Sequence, residues 1–137
     1  MLSFPAVVVH GIDHVREALR PGRGVVLLSG EGAAGYAGGG WWTALMRAAA
    51  AEFPATPMQH VLDCAAAPGF AMAALRLGQT LLVLDPACPA FPRVAAAAAA
   101  CNAAVLPARP WALDLAEPGA IRRVEAWLQG DMARTVR

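Results

Sequence analysis

A strand signal runs directly into a glycine-rich loop in the stretch Val25-Val26-Leu27-Leu28-Ser29-Gly30-Glu31-Gly32-Ala33-Ala34-Gly35-Tyr36-Ala37-Gly38-Gly39-Gly40. Six of the eleven residues 30–40 are glycine, and a helical pattern begins at Trp41. Glycine reaches positive φ at little cost and lets the backbone approach another surface closely. Open α/β sheets bind ligands at loops of this kind, at the carboxyl ends of strands. The stretch therefore predicts an α/β fold and the position of a candidate site.

Outward from this stretch, short apolar runs alternate with helical patterns. The predicted strands are residues 6–9, 25–28, 60–62, 81–84 and 105–106, and the predicted helices are residues 15–19, 41–53, 68–77, 91–101 and 121–129. The middle strands are continuously apolar, which is typical of parallel strands covered by helices on both faces. We therefore expect one α/β domain over residues 1–137. Its predicted architecture is a three-layer α/β/α sandwich with a mostly parallel sheet of about five strands, flavodoxin-like or Rossmann-like.

The composition favours self-association. Apolar residues make up 58% of the chain and charged residues only 15%. So few charges leave little to cover the surface, and exposed apolar patches of interface size are uncommon on monomers. We expect a homo-oligomer, although the abundant alanine also raises the apolar share. The net charge is +1 with no basic block, which argues against a nucleic-acid partner.

The cysteines and the first residues indicate a cytoplasmic protein. Cys64, Cys88 and Cys101 are widely spaced and form no CxxC motif. Residues 1–5 lack the features of a signal peptide, and no apolar run is long enough to cross a membrane. The chain contains no lysine, which excludes Schiff-base lysine chemistry and a P-loop lysine.

Polar residues follow the predicted strands at the point where each strand ends. In a parallel sheet these ends share one edge, so one cleft there could be lined by side chains from several loops. The candidate ligand-binding residues are His10, Ser29, Gly30, Glu31, Gly32, Gly35, Asp63, Cys64 and Asp85. His10, His14 and His60 do not have the spacing of metal ligands, so we expect no metal site.

The glycines Gly30, Gly32 and Gly35 match the pattern G-x-G-x-x-G after a strand. In dinucleotide-binding folds this pattern makes a tight turn and lets a pyrophosphate meet a helix N-terminus. A small phosphate- or nucleotide-type ligand is therefore one interpretation. Glu31 would repel a phosphate, and the acidic residue expected about twenty positions further on is absent. Tight packing of the loop is the other interpretation.

Residues 61–69 combine a strand with the loop sequence Cys-Ala-Ala-Ala-Pro-Gly. This stretch resembles the first motif of Rossmann-type S-adenosylmethionine-dependent RNA methyltransferases, in which a strand runs into a C-A-A-P-G-like loop. The resemblance covers about residues 60–102. It implies that Asp63, Ala67 and Gly69 lie along the cofactor and that Asp85 holds the ribose hydroxyls.

Three hypotheses about function remain open from the sequence, and the cofactor is unknown. The leading one is a small binding or interaction domain with its site at the strand carboxyl ends. The alternative is a nucleotide- or S-adenosylmethionine-binding enzyme that uses the glycine-rich loop, Asp63 and Asp85. A third is a thiol-dependent enzyme, because Cys64 precedes a predicted helix N-terminus, where a thiol pKa is lowered. A buried structural role is the other interpretation of Cys64.

Overall fold

A computed structural model describes residues 2–130 of the chain. The described strands are β1 (Ala6–Val8), β2 (Val25–Leu28), β3 (Met58–Asp63), β4 (Leu81–Val83), β5 (Ala104–Leu106) and β6 (Ala112–Asp114). The described α-helices are α1 (Ile12–Leu19), α2 (Ala33–Tyr36), α3 (Gly39–Glu52), α4 (Pro68–Arg76), α5 (Phe91–Ala100) and α6 (Val124–Leu128), and a 3₁₀ turn (Ile121–Arg123) precedes α6.

The six strands form a parallel sheet in the order β5-β4-β3-β2-β1-β6, flanked by helices. This confirms the predicted α/β fold, and the arrangement is consistent with a flavodoxin-like or Rossmann-like sandwich. The structure adds one strand to the five that were predicted. β6 is only three residues long and follows a proline-rich segment, so it carries too little pattern to be recognised from the sequence.

Two further differences concern helices. A short helix, α2, forms inside the glycine-rich loop, where the sequence pattern predicted no helix. The next helix, α3, begins at Gly39 rather than at Trp41. Glycine disfavours the interior of a helix, but the cost is smaller at an end, where fewer backbone hydrogen bonds are at stake.

The described residues cluster into two compact units. Unit 1 comprises residues 2–28, 45–60 and 110–130, and unit 2 comprises residues 29–44 and 61–109. The predicted single domain over residues 1–137 stays a prediction.

Unit 1 is built on β1, which pairs in parallel with β2 on one side and with β6 on the other. The register places Val7 opposite Leu27 and also opposite Leu113. β1 and β2 are buried along their whole length, as the continuous apolar runs predicted. The indole Nε1 of Trp127 donates a 2.7 Å hydrogen bond to the Ala6 carbonyl oxygen, which attaches α6 to β1.

Unit 2 contains the carboxyl end of β3, which pairs in parallel with β4, and β4 pairs in parallel with β5. The helices α2, α4 and α5 also belong to it. Glycine allows close packing at Gly39, where a Cβ would lie 3.2 Å from Leu77 at the end of α4. A Cβ on Gly35 would be in ordinary contact, at 3.4 Å, with the ring of Phe70. This unit carries most of the predicted site residues.

Candidate functional site

The carboxylate of Asp63, the last residue of β3, joins three loops of unit 2. Its Oδ1 accepts hydrogen bonds from the backbone N–H groups of Gly32 (3.0 Å) and Ala65 (2.7 Å). Its Oδ2 accepts one from Nη1 of Arg109 (2.8 Å), which forms an ion pair. Asp63 is only 1% exposed. We call Asp63, Gly32, Ala65 and Arg109 the Asp63 cluster.

The hydroxyl of Ser29 extends this network and is fully buried. Its Oγ accepts a hydrogen bond from the Asp63 backbone N–H (2.9 Å) and donates one to the Gly30 carbonyl oxygen (3.0 Å). The structure thus brings Ser29, Gly30, Gly32 and Asp63 together, as expected from the shared edge of a parallel sheet. Their polar groups, however, satisfy one another instead of pointing to a ligand.

Three backbone N–H groups of the glycine-rich loop bind acceptors within the protein. The Gly32 N–H binds Asp63, the Ala33 N–H binds the Gly30 carbonyl oxygen and the Gly35 N–H binds the Gly32 carbonyl oxygen. Gly32 has a φ of +71°, which a residue with a side chain adopts only with strain. This geometry favours the packing interpretation of the motif over the phosphate-binding one, because a phosphate needs free N–H groups.

An open cavity of about 320 Å³ lies within unit 2 at the carboxyl ends of β3, β4 and β5. Its polar lining comprises Glu31 from the glycine-rich loop, Asp63, Asp85 and Arg109. Ala65, Val83 and Pro107 are among its apolar lining residues. Three of the sequence-predicted site residues therefore line one cavity.

Asp85 and Glu31 are the exposed carboxylates of this cavity. Oδ1 of Asp85 accepts a hydrogen bond from the Ala87 N–H (2.9 Å), which fixes the side chain in a turn. Among residues 2–130, no ion pair engages either carboxylate, and Glu31 has no side-chain hydrogen bond. They can therefore accept hydrogen bonds from a ligand.

The backbone at Ala65, which lines the same cavity, is strained. Its φ is +50°, in the left-handed region that residues with a Cβ rarely adopt. Two hydrogen bonds hold this conformation in place. The Ala65 N–H donates to the Asp63 carboxylate, and the Ala65 carbonyl oxygen accepts from the Asp85 N–H (2.8 Å). Such strain is concentrated at binding and catalytic sites.

Cys64 is buried, with 1% of its surface exposed. Burial, together with the neighbouring Asp63 carboxylate, raises the pKa of the Cys64 thiol to about 12. The thiolate is the nucleophilic form, so the thiol at neutral pH has little of the character that a thiol-dependent enzyme needs. The environment of Cys64 is that of a structural cysteine.

Iodoacetamide should alkylate the folded protein at Cys101 and leave Cys64 unmodified at neutral pH. Cys101 is exposed, whereas Cys64 is both buried and protonated. Mass spectrometry of peptides after timed quenching measures the two rates, and the urea-unfolded protein is the control in which both thiols react. Modification of Cys64 in the folded protein as fast as that of Cys101 would restore the thiol-enzyme hypothesis.

His10 belongs to unit 1, where it lies just beyond β1. Its Nε2 is 2.8 Å from Oδ1 of Asp114, the last residue of β6, and both side chains are 36% exposed. The His10 backbone N–H donates to Nδ1 of His14 (3.1 Å). Burial, and secondarily the nearby His10 ring, lower the pKa of His14. The lowered pKa favours the neutral imidazole, whose Nδ1 can accept the hydrogen bond from the His10 N–H.

Sequence reasoning missed Arg109 in the cavity and Asp114, the partner of the predicted site residue His10. Arg109 follows β5 as Asp63 and Asp85 follow β3 and β4, so the same argument about strand ends would have nominated it. Asp114 lies between the buried Leu113 and Leu115. This alternation is the sequence signal of a half-buried strand.

No protein-family model matches this chain, and a search of curated proteins finds no significant relative. Within residues 2–130, no three His, Cys, Asp or Glu side chains form a group that could hold a metal ion. The helices in the same part of the chain are all too short or too polar to cross a membrane.

Proposed function

We propose that this protein binds a small polar molecule in the cavity at the carboxyl ends of β3, β4 and β5. The observation that carries the proposal is the contrast between its carboxylates. Asp63 is buried and bound to three donors, whereas Asp85 and Glu31 are exposed on the same cavity with oxygen atoms available. Exposed carboxylates beside a preformed cavity are groups that a polar ligand can bind.

The Asp63 cluster supports binding by fixing the cavity walls before a ligand arrives. It connects the glycine-rich loop, the loop after β3 and the segment after β5. Walls that are already ordered lose less conformational entropy when a ligand binds. The cavity volume of about 320 Å³ is at the lower end of the usual range for ligand pockets. This volume suits a small molecule.

Replacing Asp85 by alanine should abolish ligand-dependent stabilisation while leaving the unliganded protein folded. A ligand at a hundred times its dissociation constant stabilises a protein by about 2.7 kcal/mol. A thermal-shift screen with nucleosides, nucleotides, S-adenosylmethionine, amines, sugars and sugar phosphates measures this stabilisation. Glu117→Gln is the matched control, because Glu117 is an exposed acidic residue outside the cavity lining. If a ligand stabilises the Asp85→Ala variant as much as it stabilises the wild type, the ligand binds at another site.

An S-adenosylmethionine- or nucleotide-binding enzyme is the alternative proposal. Its support is Asp85, which follows β4 and has the exposure that a ribose-binding acid requires. Asp63 supports it less, because its carboxylate is already bound to three donors. In the screen, stabilisation by S-adenosylmethionine beyond that by adenosine would favour this alternative.

We also propose a cytoplasmic homo-oligomer. The three cysteines are all unpaired, which suits a reducing compartment. The composition remains the argument for self-association, and Tyr36 (70% exposed) and Phe70 (49% exposed) add large apolar side chains at the surface of unit 2. Light scattering of the protein as it elutes from a size-exclusion column measures the molar mass of the assembly directly. A monomer at all concentrations would overturn this part of the proposal.

A further inference from the structure

The charges that line the cavity of unit 2 do not balance. Three carboxylates, on Glu31, Asp63 and Asp85, face one guanidinium, on Arg109. Arg109 is engaged by Asp63 at 2.8 Å, so these two charges largely compensate each other. Glu31 and Asp85 have no ion-pair partner within residues 2–130, so acidic side chains outnumber basic ones in the cavity lining.

Three backbone N–H groups at or beside the cavity already bind carboxylates. The N–H groups of Gly32 and Ala65 bind Asp63, and the N–H of Ala87 binds Asp85. An anionic ligand gains its affinity from free N–H groups and free cations. Here three N–H groups and Nη1 of the Arg109 guanidinium already bind carboxylates, which reduces the number of donors that a phosphate could use.

We infer that the ligand of this cavity is a small organic cation with hydroxyl groups, and that phosphorylated molecules are rejected. The inference rests on the proposed function, since it names the class of ligand for that cavity. An ammonium or sulfonium group would lie against Asp85 and Glu31, and hydroxyl groups would donate to the remaining carboxylate oxygens. The sequence pattern of the glycine-rich loop pointed instead to phosphate as one possible ligand.

The test compares molecules that share a scaffold and differ in charge. The first set is 5′-amino-5′-deoxyadenosine, adenosine and adenosine 5′-monophosphate, and the second is glucosamine, glucose and glucose 6-phosphate. Each is titrated into the full-length, ¹⁵N-labelled protein at constant ionic strength, and the amide shifts of Glu31, Ala65 and Ala87 are followed. NMR detects binding with dissociation constants in the millimolar range, so it also detects molecules that resemble only part of the ligand and bind weakly.

We expect affinity to fall in the order cation, neutral molecule, phosphate in at least one set, with the phosphate at least tenfold weaker than the cation. Asp85→Asn combined with Glu31→Gln should remove at least tenfold of the cation affinity, and Glu117→Gln should leave it unchanged. If the phosphate binds at these amides as well as the cation does, the inference is wrong but the proposed function stands. If no molecule of either set shifts these amides, both the proposed function and the inference are overturned.

Discussion

Asp63→Ala is expected to lower the free energy of unfolding by about 3 kcal/mol. The substitution removes the acceptor of two backbone N–H groups and of the Arg109 guanidinium. Breaking a buried ion pair from one side costs about 3–5 kcal/mol, and a buried unsatisfied polar group costs about 1–3 kcal/mol. We expect a loss near the lower end of the range for a broken ion pair, because the Arg109 side chain is 28% exposed and can reach water. Urea unfolding followed by circular dichroism measures the loss.

A second variant of Asp63 separates the hydrogen bonds of its carboxylate from its ion pair, and a variant of Asp85 is the control. Asp63→Asn retains an acceptor for the Gly32 and Ala65 N–H groups but loses the ion pair, so its loss should be smaller than that of Asp63→Ala. Asp85→Asn is the matched control, and its effect should stay within about 0.5 kcal/mol, as is usual for exposed positions. If Asp63→Ala were as stable as the wild type, the Asp63 cluster would have no role in holding the edge of the sheet.

The second large effect concerns Trp42, the largest fully buried side chain among the described residues. Its Nε1 is buried and has no hydrogen-bond partner within residues 2–130. Trp42→Ala should cost about 3–5 kcal/mol, because it leaves a large cavity in the core. Trp42→Phe should cost clearly less than Trp42→Ala, because the phenyl ring fills part of the space and the unpaired N–H is removed.

Equilibrium unfolding of both Trp42 variants gives the two values. Trp111→Ala is the control for loss of an indole at the surface, since Trp111 is 50% exposed, and we expect it to cost under about 1 kcal/mol. Equal destabilisation by Trp42→Phe and Trp42→Ala would mean that the indole N–H makes a stabilising bond.

The fold could be predicted because β1, β2 and β4 consist of continuous apolar residues. Val7, Val26 and Leu27 have no exposed surface, which is the environment that such runs indicate. The position of the cavity followed from the same reasoning. Since the carboxyl ends of parallel strands share an edge, Glu31, Asp63 and Asp85 were expected near one another, and all three line the cavity.

The different environments of the two aspartates could not be predicted. Asp63 and Asp85 each follow an apolar strand, and nothing local to either residue distinguishes them. The difference depends on Arg109, which lies 46 residues beyond Asp63 and binds it rather than Asp85. A pairing over that separation depends on tertiary structure, which a local pattern does not contain.

The glycine-rich loop illustrates the same limit. Three glycines at the spacing of a nucleotide-binding motif also suit a tight turn. The sequence alone could not distinguish phosphate binding from tight packing of the loop. The choice depended on Asp63, whose carboxylate accepts a hydrogen bond from the Gly32 N–H. Asp63 lies 31 positions after Gly32 in the chain.

The long separations within the Asp63 cluster have a consequence for how the protein is made. Gly32 precedes Asp63 by 31 residues, and Arg109 follows it by 46 residues. Closing such long loops slows folding, because the chain loses entropy before the contact forms. On a growing chain, which folds from its N-terminal part first, Asp63 is synthesised well before its guanidinium partner. The cavity is therefore completed late in synthesis, and a chain that ends before Arg109 leaves a buried carboxylate without its counter-charge.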